Sequence, residues 1–75
     1  MVNFETKLRA FLTGRPFRPF VVELAGGTKV VVDHPETLLV RAGTAVHLDR
    51  RGRPSIFDEE SVVRVRRRRE PVRSR

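Results

Sequence analysis

"FVVELAGGTKVVVD", residues 20–33, is the stretch on which the fold turns. Phe20, Val22 and Leu24 alternate with Val21, Glu23 and Ala25; after Gly26-Gly27 the alternation resumes with Val30 and Val32 against Lys29, Val31 and Asp33. A period of two marks a strand with one buried face, and two such runs around a two-glycine break predict a β-hairpin. Toward the C-terminus, "HPET" interrupts at Pro35, and "LLVR", "TAVHLD", "SIF" and "VVRVR" predict four more short strands. The breaks between them fall at Ala42-Gly43, "RRGRP" and "DEES". In "TAVHLD", Val46 and Leu48 are expected to face the core and His47 the solvent. In "DEES", Asp58 and Ser61 are suited to bond nearby backbone, which predicts a short 3₁₀ turn before the last strand.

Toward the N-terminus, Asn3 is a good N-cap, and Phe4, Leu8, Phe11 and Leu12 follow at helical spacing on a stripe about 100° wide. A helix over residues 4–13 is predicted, with Glu5 favoured in its first turn and Gly14 supplying a left-handed stop. Between helix and hairpin lies "RPFRPF", residues 15–20. Each proline fixes its own φ and holds the preceding arginine extended, so polyproline II is expected. Its period of three would project Phe17 and Phe20 from one edge, about 9 Å apart, and place Arg15 and Arg18 on another. The two phenylalanines are read as core anchors and the two arginines as rim.

Strands every 6 to 12 residues with tight turns favour a closed or nearly closed antiparallel sheet, since closure removes exposed edges. The fold expected is mainly β, a small α+β domain. An N-terminal helix precedes a five- to six-stranded antiparallel meander that closes into a small barrel, and the helix plugs one end. About 45 strand-region residues are too few for two full sheets. The expected domain covers residues 1–66, followed by a disordered Arg-rich tail at 67–75.

This element order resembles the Sm-like and SH3-like small barrels, over roughly residues 3–66. In the Hfq-like branch of the Sm-like barrels a basic Lys-His pair near the end of the fourth strand helps to line a uridine-binding pore. Here that stretch reads Phe57-Asp58-Glu59-Glu60, so the resemblance does not imply that site. "RPFRPFVVELAGGTKVVVDHPE" also resembles a family of short bacterial domains with an Arg-Pro-Phe-x-Pro-Phe start, a glycine turn and a His-Pro-Glu corner. That resemblance implies a self-contained small domain and carries no function.

At 75 residues the chain can bury only about 60% of the surface exposed on unfolding, so stability is marginal and self-association would add to it. With no cysteine, disulfides and thiol chemistry are excluded. "MVNFETKLRAFL" has neither a basic n-region nor an unbroken apolar run, and no segment approaches the roughly 20 apolar residues of a membrane span. A cytoplasmic location and no membrane partner are expected.

The net charge of +7 is unevenly distributed. Residues 1–61 hold nine Lys or Arg against eight Asp or Glu, whereas residues 62–75 hold seven Arg against Glu70 alone. Arg64, Arg66, Arg67, Arg68, Arg69, Arg73 and Arg75, with Arg50, Arg51 and Arg53, are therefore the candidate contacts to RNA or DNA phosphates. Fourteen of the sixteen basic residues are arginine, which suits bidentate phosphate contacts and equally suits GC-rich codon usage. The five phenylalanines are assigned to the core, so no base-stacking platform accompanies the basic set. The alternative is a protein-protein interaction or homo-oligomeric module, docking through an open barrel edge or "RPFRPF", with a merely solvating tail.

No enzyme is expected. Ser55 and Ser61 sit in turns, Glu59-Glu60 is adjacent and solvated, and Gly26-Gly27 lacks the lysine and helix of a phosphate loop. Asp33, His34 and Glu36 are metal-ligand types, but Pro35 makes a corner that accounts for them locally, so no metal and no cofactor are assigned.

Overall fold

The computed structural model describes residues 4–68. Helix α1 spans Phe4–Leu12, and six strands follow: β1 (Phe20–Leu24), β2 (Lys29–Val32), β3 (Leu38–Arg41), β4 (Thr44–Leu48), β5 (Pro54–Asp58) and β6 (Val62–Arg67). Short 3₁₀ turns at Pro35–Thr37 and Glu59–Ser61 lead into β3 and β6. The strands form two antiparallel three-stranded sheets, ordered β2-β1-β6 and β3-β4-β5. The mainly β reading with one N-terminal helix is correct, and each expected strand is found within a residue or two of its place. The closed barrel is not found. Both 3₁₀ turns stand where the chain passes from one sheet to the other, and strands of four to six residues are too short to bend and pair in both.

The core is built on β1. Phe20 and Val22 are fully buried, as are Val32 across the ladder and Leu8 on the helix. Val30, Leu38, Val40, Ala45 and Phe57 complete the cluster, with Phe4, Phe11, Leu12 and Phe17 packed against it. The Phe20 ring centroid lies 5.0 Å from that of Phe11 and 6.2 Å from that of Phe17, in tilted and edge-on arrangements. Both aromatics of "RPFRPF" are thus anchors. The segment does not run as polyproline II throughout, because the Arg15–Pro16 bond is cis.

Turn chemistry explains the remaining departures. The helix ends where the Thr13 N–H and hydroxyl both donate to the Arg9 carbonyl, at 2.9 Å each, and Gly14 is not left-handed. Between β1 and β2 the Leu24 N–H donates to the Thr28 carbonyl at 2.8 Å, which makes a loop wider than a two-glycine turn. Gly26 and Gly27 adopt φ of 90° and 94° within it. The expected 3₁₀ turn before the last strand is present, and the Asp58 carboxylate accepts from the Ser61 N–H and hydroxyl at 3.1 and 3.0 Å.

Between β3 and β4 the turn has two residues, Ala42 at φ 52° and Gly43 at φ 79°. This turn corrects the reading of β4. It pairs Arg41 with Thr44, and hence Val40 with Ala45 and Leu38 with His47. Because Leu38 and Val40 point inward, Ala45 and His47 do too. His47 is therefore buried, while Leu48 is exposed and Val46 half-buried on the outer face. Register set by the turn overrides the preference of larger aliphatic residues for the inside.

The last strand also runs further than expected. Arg67 pairs with Phe20 within the sheet, and the Arg68 N–H, one residue past β6, donates to the Pro19 carbonyl at 2.9 Å. The Asn3 cap, and Arg69, Arg73 and Arg75 with the tail around them, lie outside the described residues.

Two stability outcomes follow. Phe20→Ala removes the ring on which helix, ribbon and sheet converge and should cost about 3–5 kcal/mol, measured by chemical denaturation. Ala42→Asn supplies a residue at ease in the left-handed region and should stabilise by roughly 0.5–1 kcal/mol, whereas an unchanged or lower value would show that the turn is not strained.

Candidate nucleic-acid interface

β6 carries its arginines on both faces of the first sheet. Arg64 and Arg66 oppose Glu23 and Val21 of β1 and lie on the outer face with Arg68, Lys29 and Val31, lining a shallow groove of about 750 Å³. Val21 is buried although it faces outward, since its direct partner Arg66 can lay an aliphatic stem over it. Much of the charge on this face is balanced within the chain. Glu23 accepts from Arg66 Nε, and from Arg64 Nη2 at 3.4 Å. The Arg66 hydrogen bond is the main reason that the Glu23 carboxyl is held below its ordinary range.

Asp33 does the same at the groove's end. Its carboxylate accepts from Arg68 Nη1 at 2.8 Å and lies 3.9 Å from the Arg50 guanidinium. The structure thus brings Arg50, from the β4–β5 turn, beside Arg68, two groups that lie far apart in sequence. Arg51 and Arg53 are in the same turn, where their N–H groups donate to Asp49 Oδ1 at 2.8 and 2.9 Å. Those bonds, that from Arg53 first, hold the Asp49 carboxyl low. Neither Arg51 nor Arg53 has a side-chain ion pair among the described residues.

Arg67, which also borders the outer-face groove, reaches the far side of the strand as well. With Arg15 and Arg18 it lines a cleft of about 260 Å³ at the C-terminal end of α1, whose remaining wall is Ala10, Phe11, Gly14 and Pro16. No carboxylate lines this cleft, and none of the three arginines has an ion pair among the described residues. Sequence reasoning left Arg15 and Arg18 at the rim and did not join them to the basic set. The signal was there: a period of three puts both on one edge, but only the Phe20–Arg67 pairing shows what stands opposite.

The Asp33-His34-Glu36 corner is accounted for by structure. Asp33 engages arginine, and the His34 carbonyl accepts from the Thr37 N–H and hydroxyl at 3.1 and 2.7 Å. Among the described residues no three metal-ligand side chains gather. A second cleft, of about 430 Å³, holds both histidines, with Asp33, Asp49, Lys29 and Arg50 around them. Neither a protein-family model, nor a curated protein, nor a solved structure matches this chain.

Burial pushes the His47 imidazole below its ordinary value, against the opposing pull of Asp49 and Asp33. The unfolded chain takes up this proton near pH ~6.5 and the folded chain only at lower pH. The stability concerned is therefore complete above ~6.5 and is lost as the pH falls through the folded value. The thermal midpoint should drop between pH 7 and pH 5.5, above the range where Glu5, Glu23 and Asp49 titrate. A His47→Gln protein should lose most of that slope; a slope that persists in the variant would assign it elsewhere.

Proposed function

We propose that this is a non-enzymatic, cytoplasmic binding module that holds RNA or DNA phosphates with low sequence specificity. The observation that carries the reading is the carboxylate-free cleft of Arg15, Arg18 and Arg67. It stands at the end of β6, where the sequence continues into Arg69, Arg73 and Arg75. Arginine forks without a competing carboxylate are the groups that gain most from bidentate phosphate contact. Arg64, Arg66, Arg68 and Arg50 extend the basic track, with Glu23 and Asp33 offsetting part of their charge. Arg51 and Arg53 border it. Phe20 and Phe57 are buried and Phe4, Phe11 and Phe17 are held against the core, so the reading rests on phosphate contacts with release of counterions, although Phe11 also lines the cleft.

The two sheets are read here as the halves of an open SH3/Sm-like barrel. The support is the β1–β6 ladder, which returns the last strand to the first. No helix among the described residues is long and apolar enough to cross a membrane.

The test is binding of labelled single-stranded RNA and duplex DNA across a salt titration. Three proteins are compared: the full chain, a chain ending at Arg68 so that β6 keeps its last bond, and Arg15→Gln/Arg18→Gln/Arg67→Gln. If the cleft holds three phosphates, the triple variant should flatten the salt slope for single strands by about 2, at about 0.7 per contact. Arg64→Gln/Arg66→Gln should change it less. Absence of binding by the full chain at low salt would end the nucleic-acid reading.

A further inference from the structure

The outer face of the second sheet is apolar where a lone domain would keep it polar. Leu39, Val46 and Ile56 stand in direct register across β3, β4 and β5, with Leu48 and Pro54 in the next row. Leu39 and Ile56 are each 70% exposed and Leu48 47%. Single exposed aliphatics are ordinary, but a contiguous row of them across every strand of a sheet marks a surface meant to be covered. In the row on the other side of Leu39, Val46 and Ile56, Arg41 on β3 and Asp58 on β5 flank Thr44. Arg41 is also near Glu5, and Asp58 Oδ1 holds Ser61 while its other oxygen has no hydrogen bond among the described residues.

We propose that this face pairs with the same face of a second copy, about a two-fold axis running along β4. Such an axis exchanges the two edge strands of the sheet and keeps positions along the strands. Leu39 of one copy then meets Ile56 of the other, Val46 meets Val46, and Arg41 meets Asp58, twice over. The charges fall on opposite edge strands of one row, the arrangement that a self-complementary two-fold contact needs. With both charges on one strand, like would meet like for neither copy, and the contact would lose its two ion pairs.

Size sets the strength. Three strands about 4.8 Å apart and five residues long make a face of roughly 240 Å² per copy. A standard stable interface buries about 800 Å² per partner, so association is weak, with a dissociation constant on the order of 0.1 mM. This inference stands apart from nucleic-acid binding, since it uses none of the arginines of the track.

The experiment is sedimentation equilibrium of the full chain from 10 µM to 1 mM, with amide chemical shifts followed over the same range. Wild type should pass from one copy toward two, and the shifts that move should belong to β3, β4 and β5. Ile56→Asp should remain a monomer throughout, and Arg41→Glu, which sets two carboxylates against each other, should raise the dissociation constant by tenfold or so. A cooperative thermal transition at 10 µM, where wild type is monomeric, shows that the variants are folded, with Arg41→Glu melting somewhat lower because it brings a second carboxylate near Glu5. The proposal is overturned by a wild type that stays monomeric at 1 mM, or by a dimer that Ile56→Asp leaves intact. Growth beyond two copies, or concentration-dependent shifts confined to β2 or β6, would overturn it equally, and an Arg41→Glu dimer as tight as wild type would refute the axis.

Discussion

The Phe20 ring is the junction on which the rest of the molecule depends. It is fully buried, touches a phenylalanine from the helix and another from the ribbon, and its backbone pairs with both neighbouring strands. A chain of this size has a single small core, and one residue that helix, connector and sheet all share is an economical way to couple them. The same residue orders the arginines. Pairing Phe20 with Arg67 fixes where β6 ends, and so which guanidiniums stand beside the ribbon and which over the outer face of β1.

The hairpin of residues 20–33, the helix face and the turn at Asp58 were legible in the sequence because each is local. Periodicity over a few residues and the bonding habits of Gly, Pro, Asp and Ser specify them without reference to distant partners. The inward-facing Phe20, Val22, Val30 and Val32 were legible for the same reason. His47 was not, because its orientation is decided by the register across the Ala42-Gly43 turn, and a two-residue turn carries parity from one strand to the next whatever the side chains prefer. Whether the strands close is not legible in the sequence, because it depends on how the two 3₁₀ turns steer the chain between sheets, which no local pattern encodes.

The candidate site divides along the same line. That β6 is rich in arginine is plain from composition, but which arginines are already engaged is a matter of tertiary neighbours. Glu23 lies 41 and 43 residues from the two arginines it holds, and Asp33 lies 35 from Arg68. Counting charge along the chain treats these groups as equivalent to Arg15, Arg18 and Arg67. The structure separates a partly neutralised face from a cleft with no acid in it.

Glu23 changes what the outer face offers an anion in a way that net charge does not convey. Any anion that takes Arg66 must displace a carboxylate already in place, so a lone monovalent ion gains little by the exchange. A polymer that offers several phosphates at once can bring more charge to Arg64, Arg66 and Arg68 than Glu23 and Asp33 withhold. Its arginine partners, Arg66 first, hold the Glu23 carboxyl below its ordinary value, so the clamp stays charged near neutral pH. On the proposed nucleic-acid reading, the internal carboxylates set a threshold between dense polyanions and the small anions of the surrounding solution.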